Sequence, residues 1–377
     1  MAILAPVDRC ATLIEPNENG GRMMNRCTKR VNIMRRVGAA AVGVGLYAAF
    51  AALHVASAAG APTVTWGYFE GGIASPGAVI ATQAPLKKSI PARLKFIQIN
   101  SGVAALAAMR AGSFDVVEGV GNPPVVGALA ARTPLVVVFA ESYDGAGLYV
   151  NTKVLHKPAD LAGQKIGDLV GSSEDYELKG YLKHLGLQNK VTVVPFSSDS
   201  AAAAAFLAGN LNAVYVDFGS GVPLAKRPTT KVWATAADIA QLGYPSMNVL
   251  VVSRKLVKRD PSLVQKIVCS VSAASDDMLG KDRAKYFSAA AAVLGVPADV
   301  AVKGSEQWPE LALKDQGEWF GAPGSKVVDS RIVQEAYVKS AVFLKASGNV
   351  MSVPSAATIA SAVDPSFVQA ASKGACK

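Results

Sequence analysis

Short apolar runs rich in β-branched residues alternate with Ala-rich stretches of helical period along the chain after residue 60. The runs predict strands over 64–69, 94–99, 116–118, 135–139, 148–151, 165–168, 191–195, 213–217 and 248–253. The stretches between them predict helices near 74–83, 103–111, 125–131, 176–184 and 201–208. Such alternation implies an α/β fold whose parallel-rich sheets are covered on both faces. Past Lys255 the pattern turns helical, over 261–279, 281–294, 297–303 and 329–347, with Pro or an acid at several starts. No short-period repeat is visible.

Two segments read as crossings. Residues 139–150 leave the first sheet and 244–254 return to it. The chain is therefore expected as two lobes joined by a two-strand hinge, which lets them close on a ligand. The first lobe takes 60–142 and, after the return, 251–350; the second takes 143–250. The Ala/Ser/Pro-rich stretch 351–377 is expected as a loose tail.

The amino terminus has a different pattern. Lys29-Arg30 and Arg35-Arg36 precede an uncharged run over 37–55, which ends in Ala56-Ser57-Ala58. This order of positive, apolar and small residues predicts a cleavable export signal within 1–59. The alternative is a retained membrane anchor, since the run is long enough to span a bilayer. No Cys closely follows the run, which disfavours lipid attachment. Met23, Met24 and Met34 are alternative starts.

Net charge is +10 over 377 residues. Without 1–59 the chain retains about +6, a modest excess that favours an anionic ligand or surface. No basic run interleaved with aromatics occurs in the body, which argues against nucleic acid. Cys269 and Cys376 remain after export. They can pair in an oxidising compartment, although a helix thiol and a separate tail thiol are the preferred reading. His156 and His184 lie far apart in sequence, leaving little material for a zinc site or a His-based triad. No metal and no cofactor are expected.

Ligands of open α/β sheets bind beyond the carboxyl ends of the strands. That rule selects Glu70, Ser101-Gly102, Asn122, Ser172-Ser173 and Asp217-Phe218. Ser101 and the Gly171-Ser172-Ser173 loop open helices, where free N–H groups suit an anion. Glu70, Asp144 and Asp217 follow strands and are candidates for a ligand ammonium, against the alternative of solvated loop acids. Trp66 and Tyr68 share one face of a strand and are expected in the core. No catalytic residue is assigned. Gly171-Ser172-Ser173 is not a G-x-S-x-G elbow, no Walker-type loop occurs, and Asp276-Asp277 reads as a solvated helix surface.

Several segments carry a family resemblance. They include Asn100-Ser101-Gly102 opening an Ala-rich helix, Phe114-Asp115-Val116, Lys157-Pro158-Ala159-Asp160-Leu161 and Leu185-Gly186-Leu187. Ala208-Gly209-Asn210, Val251-Val252-Ser253-Arg254-Lys255 with Asp260-Pro261, and Lys345-Ala346-Ser347-Gly348 complete the set. Over about 64–350 the chain resembles the periplasmic taurine-binding proteins, within the wider group that binds sulfonates, nitrate and thiamine precursors. The resemblance implies a type II periplasmic binding protein fold and a monomer in the periplasm. It also implies a small anionic or zwitterionic ligand, delivered to an ABC permease at the inner membrane. Taurine or a related aliphatic sulfonate is the first expectation. A thiamine-precursor pyrimidine, an amino acid or an aromatic acid on the same fold is the alternative. An enzyme on this fold would need a reactive His or Cys in the cleft.

The resemblance places Ser101-Gly102, Asn122, Ser172-Ser173 and the Asp217 loop at ligand-contacting positions. It also marks departures. The family commonly has Gly-Ser-Ser-Pro where this chain has Gly121-Asn122-Pro123-Pro124, and Trp-Ala-Pro where it has Asp217-Phe218-Gly219. An Asp common in the return strand of taurine binders is Asn248 here.

Overall fold

Strand β1 (Thr63–Phe69) pairs in parallel with β2 (Arg93–Ile99) and β3 (Val116–Val120). The computed structural model describes residues 61–69, 71, 75–316, 331–348 and 350–376. The predicted export signal and Glu70 lie outside them. Helices α1 (Pro76–Thr82), α2 (Ala84–Ser89), α3 (Gly102–Arg110) and α4 (Asn122–Ala130) connect the parallel strands and lead to β4 (Leu135–Tyr143).

The chain then crosses at Asp144-Gly145 into a second sheet. That sheet is built from β5 (Ala146–Asn151), β6 (Lys165–Asp168), β7 (Thr192–Pro195), β8 (Ala213–Asp217) and β9 (Thr230–Thr235). Its helices are α5 (Ser173–His184), α6 (Asp199–Leu207), α7 (Phe218–Ala225) and α8 (Ala236–Gln241). Strand β10 (Met247–Ser253) returns to the first sheet. It is followed by α9 (Arg254–Arg259), α10 (Pro261–Leu279), α11 (Arg283–Leu294), α12 (Ala298–Ser305) and α13 (Arg331–Ala346).

The two sheets have one plan. Their orders are β2-β1-β3-β10-β4 and β7-β6-β8-β5-β9. In each, three parallel strands are followed by an antiparallel strand, and that strand is the first after a crossing. The crossings touch where the Asp144 amide donates to the Ser246 carbonyl at 3.2 Å. Strand β10 pairs with β4 from Met247↔Tyr143 onward, so the expected boundary between 250 and 251 falls inside a strand of the first sheet.

Burial explains which strands the sequence announces. Strand β10 and nearly all of β4 are buried on both faces, and both read as continuous apolar runs. Strand β9, Thr-Lys-Val-Trp-Ala-Thr, is a sheet edge with a mostly exposed or half-exposed pattern, and it carries no comparable signal. Trp66 and Tyr68 are core residues, packed on Phe96 with ring centroids 5.7 and 6.4 Å away.

The stretch expected as a loose tail is held in place. Val363 bridges Val137 of β4, and Phe367 and Val368 are buried. Cys376 forms a disulfide with Cys269 of α10, which corrects the reading of two separate thiols. Buried residues of α10 at 263, 264, 267, 271, 274 and 278 recur at helical spacing. They present this helix to the core while Cys269 meets the tail.

Candidate functional site

The parallel strands of both sheets run toward one cleft, and the helices that follow them begin there. In the first lobe, Ser101 caps α3 by accepting the Ala104 amide at 3.3 Å. This leaves the Gly102 and Val103 amides as unbonded first-turn donors. A Cβ at Gly102 would come within 3.2 Å of Pro124, so α3 and α4 pack closely there. Helix α4 has no side-chain cap, and prolines at 123 and 124 leave Asn122 as its free first-turn amide. Neither α3 nor α4 has an acid in its first turn.

The second lobe repeats the arrangement with acids added. Ser172 caps α5 by accepting the Asp175 amide at 3.3 Å, and Glu174 lies in that first turn. Ser198 caps α6 in front of Asp199. Asp217 itself caps α7, accepting the Ser220 amide and hydroxyl, both at 2.9 Å.

These termini share a cavity of about 370 Å³, lined from both lobes. Ser101 and Gly102 line it from one side, Ser172 and Ser173 from the other, and Asp144 and Asn248 from the crossings. Gly121 of the first lobe meets Ser173 of the second so closely that a Cβ at 121 would overlap the hydroxyl. The lobes also touch through Lys226 and Asp299 at 3.4 Å, and through Tyr176 against Phe343 with centroids 5.2 Å apart.

The cavity is acidic. Asp144, Glu174, Asp199 and Asp217 line it, and no Lys, Arg or His does among the described residues. Burial raises the pKa of each. For Asp144 the charge of Glu174 adds to burial, against hydrogen bonds from Ser173 and Gly145. Asp199 is raised further by Glu174, by Asp217 and by its hydrogen bond to Asp217, in which protonated Asp199 is the donor. The same bond lowers Asp217, with help from Ser220.

A second carboxylate group lies beneath the first-lobe side. Burial pushes Glu118 up to about 7, against hydrogen bonds from Ser75, Trp66 and Gly77. Burial pushes Glu310 up to about 8, against its bond from Ser275. Glu141, between them on β4, is raised by burial and by the charge of Glu118.

Of the residues expected at the site, Ser101, Gly102, Asp144, Ser172, Ser173, Asp217 and Asn248 meet in the cavity. Asn122 and Phe218 are not among its lining residues. Asn122 is fully buried, and its side-chain amide donates to the Pro245 carbonyl at 2.8 Å, tying α4 to the return crossing. Phe218 is turned into the second lobe beside Gly147. Residues missed from sequence include Gln98, Glu174, Asp199 and Trp308. The strand-end rule selects the 196–200 loop as readily as the others, so Asp199 was findable. Trp308 enters from outside either sheet with no local motif, its ring against Gly145 and its indole N–H without a partner. Among the described residues, no cluster of His, Cys, Asp or Glu could hold a metal ion.

The NMT1/THI5-like family matches residues 94–285, a span that includes α3 to α8 and most of the cleft. The chain belongs to that family. It is 26% identical over 289 residues to the taurine-binding periplasmic protein of Escherichia coli K12, covering 74% of this chain and 86% of that one. It is 25% identical over 255 residues to a putative aliphatic sulfonates-binding protein of the same organism, covering 66% and 76%. Among solved structures, the alkanesulfonate-binding protein SsuA of Xanthomonas axonopodis pv. citri bound to MOPS superposes with a TM-score of 0.63 at 23% identity. That match covers 81% of this chain and 100% of SsuA. The desulfurization enzyme DszB has a TM-score of 0.54 at 16% identity, covering 83% and 99%. The fold is that of the type II periplasmic binding proteins, with the strand orders given above. The sulfonate-binding relatives are binding proteins, and a more distant neighbour on a similar fold is an enzyme.

Proposed function

We propose that this family member is the periplasmic substrate-binding component of an ABC importer, and that it closes on taurine or a related aliphatic sulfonate. One observation supports this most. The free amides that open α3, in a turn without an acid, face a cavity lined from both lobes. Helix N-termini hold an oxyanion through unpaired N–H groups and the helix dipole, without a fixed cation. The cavity suits a small ligand, and the named relatives bind sulfonates.

The remaining parts of the reading follow from this role. Residues 1–59 act as a cleaved export signal, the mature chain works as a monomer in the periplasm, and an inner-membrane permease receives the ligand. No Cys or His lines the cavity among the described residues, so the ligand is expected to be released unchanged.

The test is a calorimetric and thermal-shift titration of the mature chain with taurine and short alkanesulfonates. One-to-one saturable binding is expected. At about 100 times Kd, linkage adds roughly 2.7 kcal/mol to folding stability. No response to any sulfonate, or steady conversion of the ligand, overturns the proposal.

A further inference from the structure

One uncommitted donor of the cleft belongs to neither sheet, and its reading rests on the proposed role as a sulfonate binder. We infer that Trp308 is a ligand-contacting residue, whose indole N–H donates to an oxygen of the anionic head group from the crossing side of the cavity.

The chain fixes where this side chain stands. Residues 308–311 run beside the end of β4. The Leu311 amide donates to the Glu141 carbonyl at 2.8 Å, the Tyr143 amide donates to the Pro309 carbonyl at 3.1 Å, and Glu310 forms an antiparallel bridge with Ser142. Strand β4 leads directly into the first crossing, so Trp308 is fastened to the strand that becomes the hinge. Its ring rests on Gly145, where a Cβ would lie 2.5 Å from the nearest ring carbon. From that seat it lines the cavity together with Asp144 and Asn248 of the crossings.

The second observation is chemical. The indole nitrogen is buried and has no hydrogen-bond partner. Indole N–H donates and cannot accept, so only an acceptor satisfies it. A buried donor left unpaired costs free energy that a bound acceptor recovers. Sulfonate oxygens are acceptors only, and a small tilt of the ring on ligand entry brings the N–H to one of them away from competing water. Two other side-chain amides of the lining are already engaged. Gln98 Nε2 donates to the Val293 carbonyl at 2.7 Å, and Asn248 Nδ2 donates to the Ser142 hydroxyl at 3.3 Å.

The head group thereby gains a donor that the strand-end loops do not supply. The free Gly102 and Val103 amides of α3 and the indole of Trp308 line one cavity. Together they offer three N–H groups to the three oxygens of a sulfonate, none of them on a cation.

The mature protein carrying isotope-labelled tryptophan tests this by NMR. The indole resonance of Trp308, assigned through its contacts with Gly145, is expected to move downfield on saturation with taurine, isethionate or ethanesulfonate. These ligands share the sulfonate and differ at the far end as amine, hydroxyl and methyl. Trp308→Phe keeps an aromatic ring and removes the donor. In calorimetry it is expected to weaken all three ligands by a similar factor of about 10-fold, the scale of one hydrogen bond to a charged acceptor. Trp233→Phe, on β9 and outside the lining, should leave affinity unchanged. Sulfonate binding with the Trp308 resonance unmoved overturns the inference and leaves the sulfonate-binding role standing. A loss confined to one of the three ligands also overturns it, because the contact then lies at the far end. If the unaltered protein binds no sulfonate, the role and the inference both fall. The resonance is read in the unaltered protein and decides the matter even if Trp308→Phe does not fold.

Discussion

The two lobes use the same sheet plan and face the same cavity, yet their walls carry opposite electrical character. In the first lobe α3 and α4 open without an acid. In the second, α5, α6 and α7 open with Glu174, Asp199 and Asp217 respectively. The fold alone would have made both walls donors, because helices following parallel strands point their N-termini at the cleft. Side chains at the first helical positions reverse that on one wall. The backbone thus brings the helix N-termini of both lobes to one cavity, and a few acids make its two walls different.

Interventions confined to one lobe can break or sharpen this contrast. The largest effect is expected from the Cys269–Cys376 disulfide, which closes a loop of 107 residues in the first lobe. Cys376→Ser is expected to cost about 2–5 kcal/mol of unfolding free energy in denaturant titrations. Ligand affinity at 25 °C should not change, because the tail lies away from the cavity. Gly121→Val comes next. The side chain would intrude on Ser173 where the lobes meet, so the closed state becomes rare. If its population falls to about 1%, apparent affinity falls about 100-fold, with thermal stability of the free protein nearly unchanged.

A pH series is expected to give a smaller, graded effect. Folded Glu118 and Glu310 hold protons up to about 7 and about 8, from a usual value of 4.5. The unfolded chain releases those protons at lower pH. Their contribution to stability is therefore complete below about pH 4.5 and is lost as pH rises through 7 to 8. Each such proton gives a slope of about 1.4 kcal/mol per pH unit within the window. Thermal melts between pH 5 and 8.5 should show melting temperature falling as pH rises, and Glu310→Gln should reduce that slope. The smallest effect is expected at the caps. Ser101→Ala and Ser198→Ala each remove one acceptor for a helix amide and should cost about 1 kcal/mol of stability. Ser101→Ala acts on the wall proposed for the sulfonate and should also weaken taurine binding; Ser198→Ala should weaken it less.

Where local signals agree, the sequence describes the molecule closely. Helix α10 starts and ends where expected, at 261 and 279, because Asp260 caps it, Pro261 opens it and its apolar positions keep helical spacing. Strands β6 and β8 lie where expected for the same reason of agreement between pattern and burial. Helix α7 is not among the helices expected from the sequence, and Phe-Gly-Ser-Gly with an internal Pro223 has low helix propensity. It forms because Asp217 caps it and Phe218, Val222 and Leu224 are buried. At the site, Ser101 and Ser172 were legible as caps after strands. The role of Asn122 was not, because its partner, Pro245, is 123 residues away and no local pattern connects them. Trp308 was hidden for a similar reason, since only the tertiary fold brings it to Gly145.

A crystal structure of the mature protein with taurine tests the opposed walls most directly. The sulfonate oxygens are expected within hydrogen-bonding distance of the Gly102 and Val103 amides, with the amine end toward the acidic second-lobe wall. Taurine bound the other way round, with its sulfonate against α5 and α6, or held outside this cavity, would contradict the account.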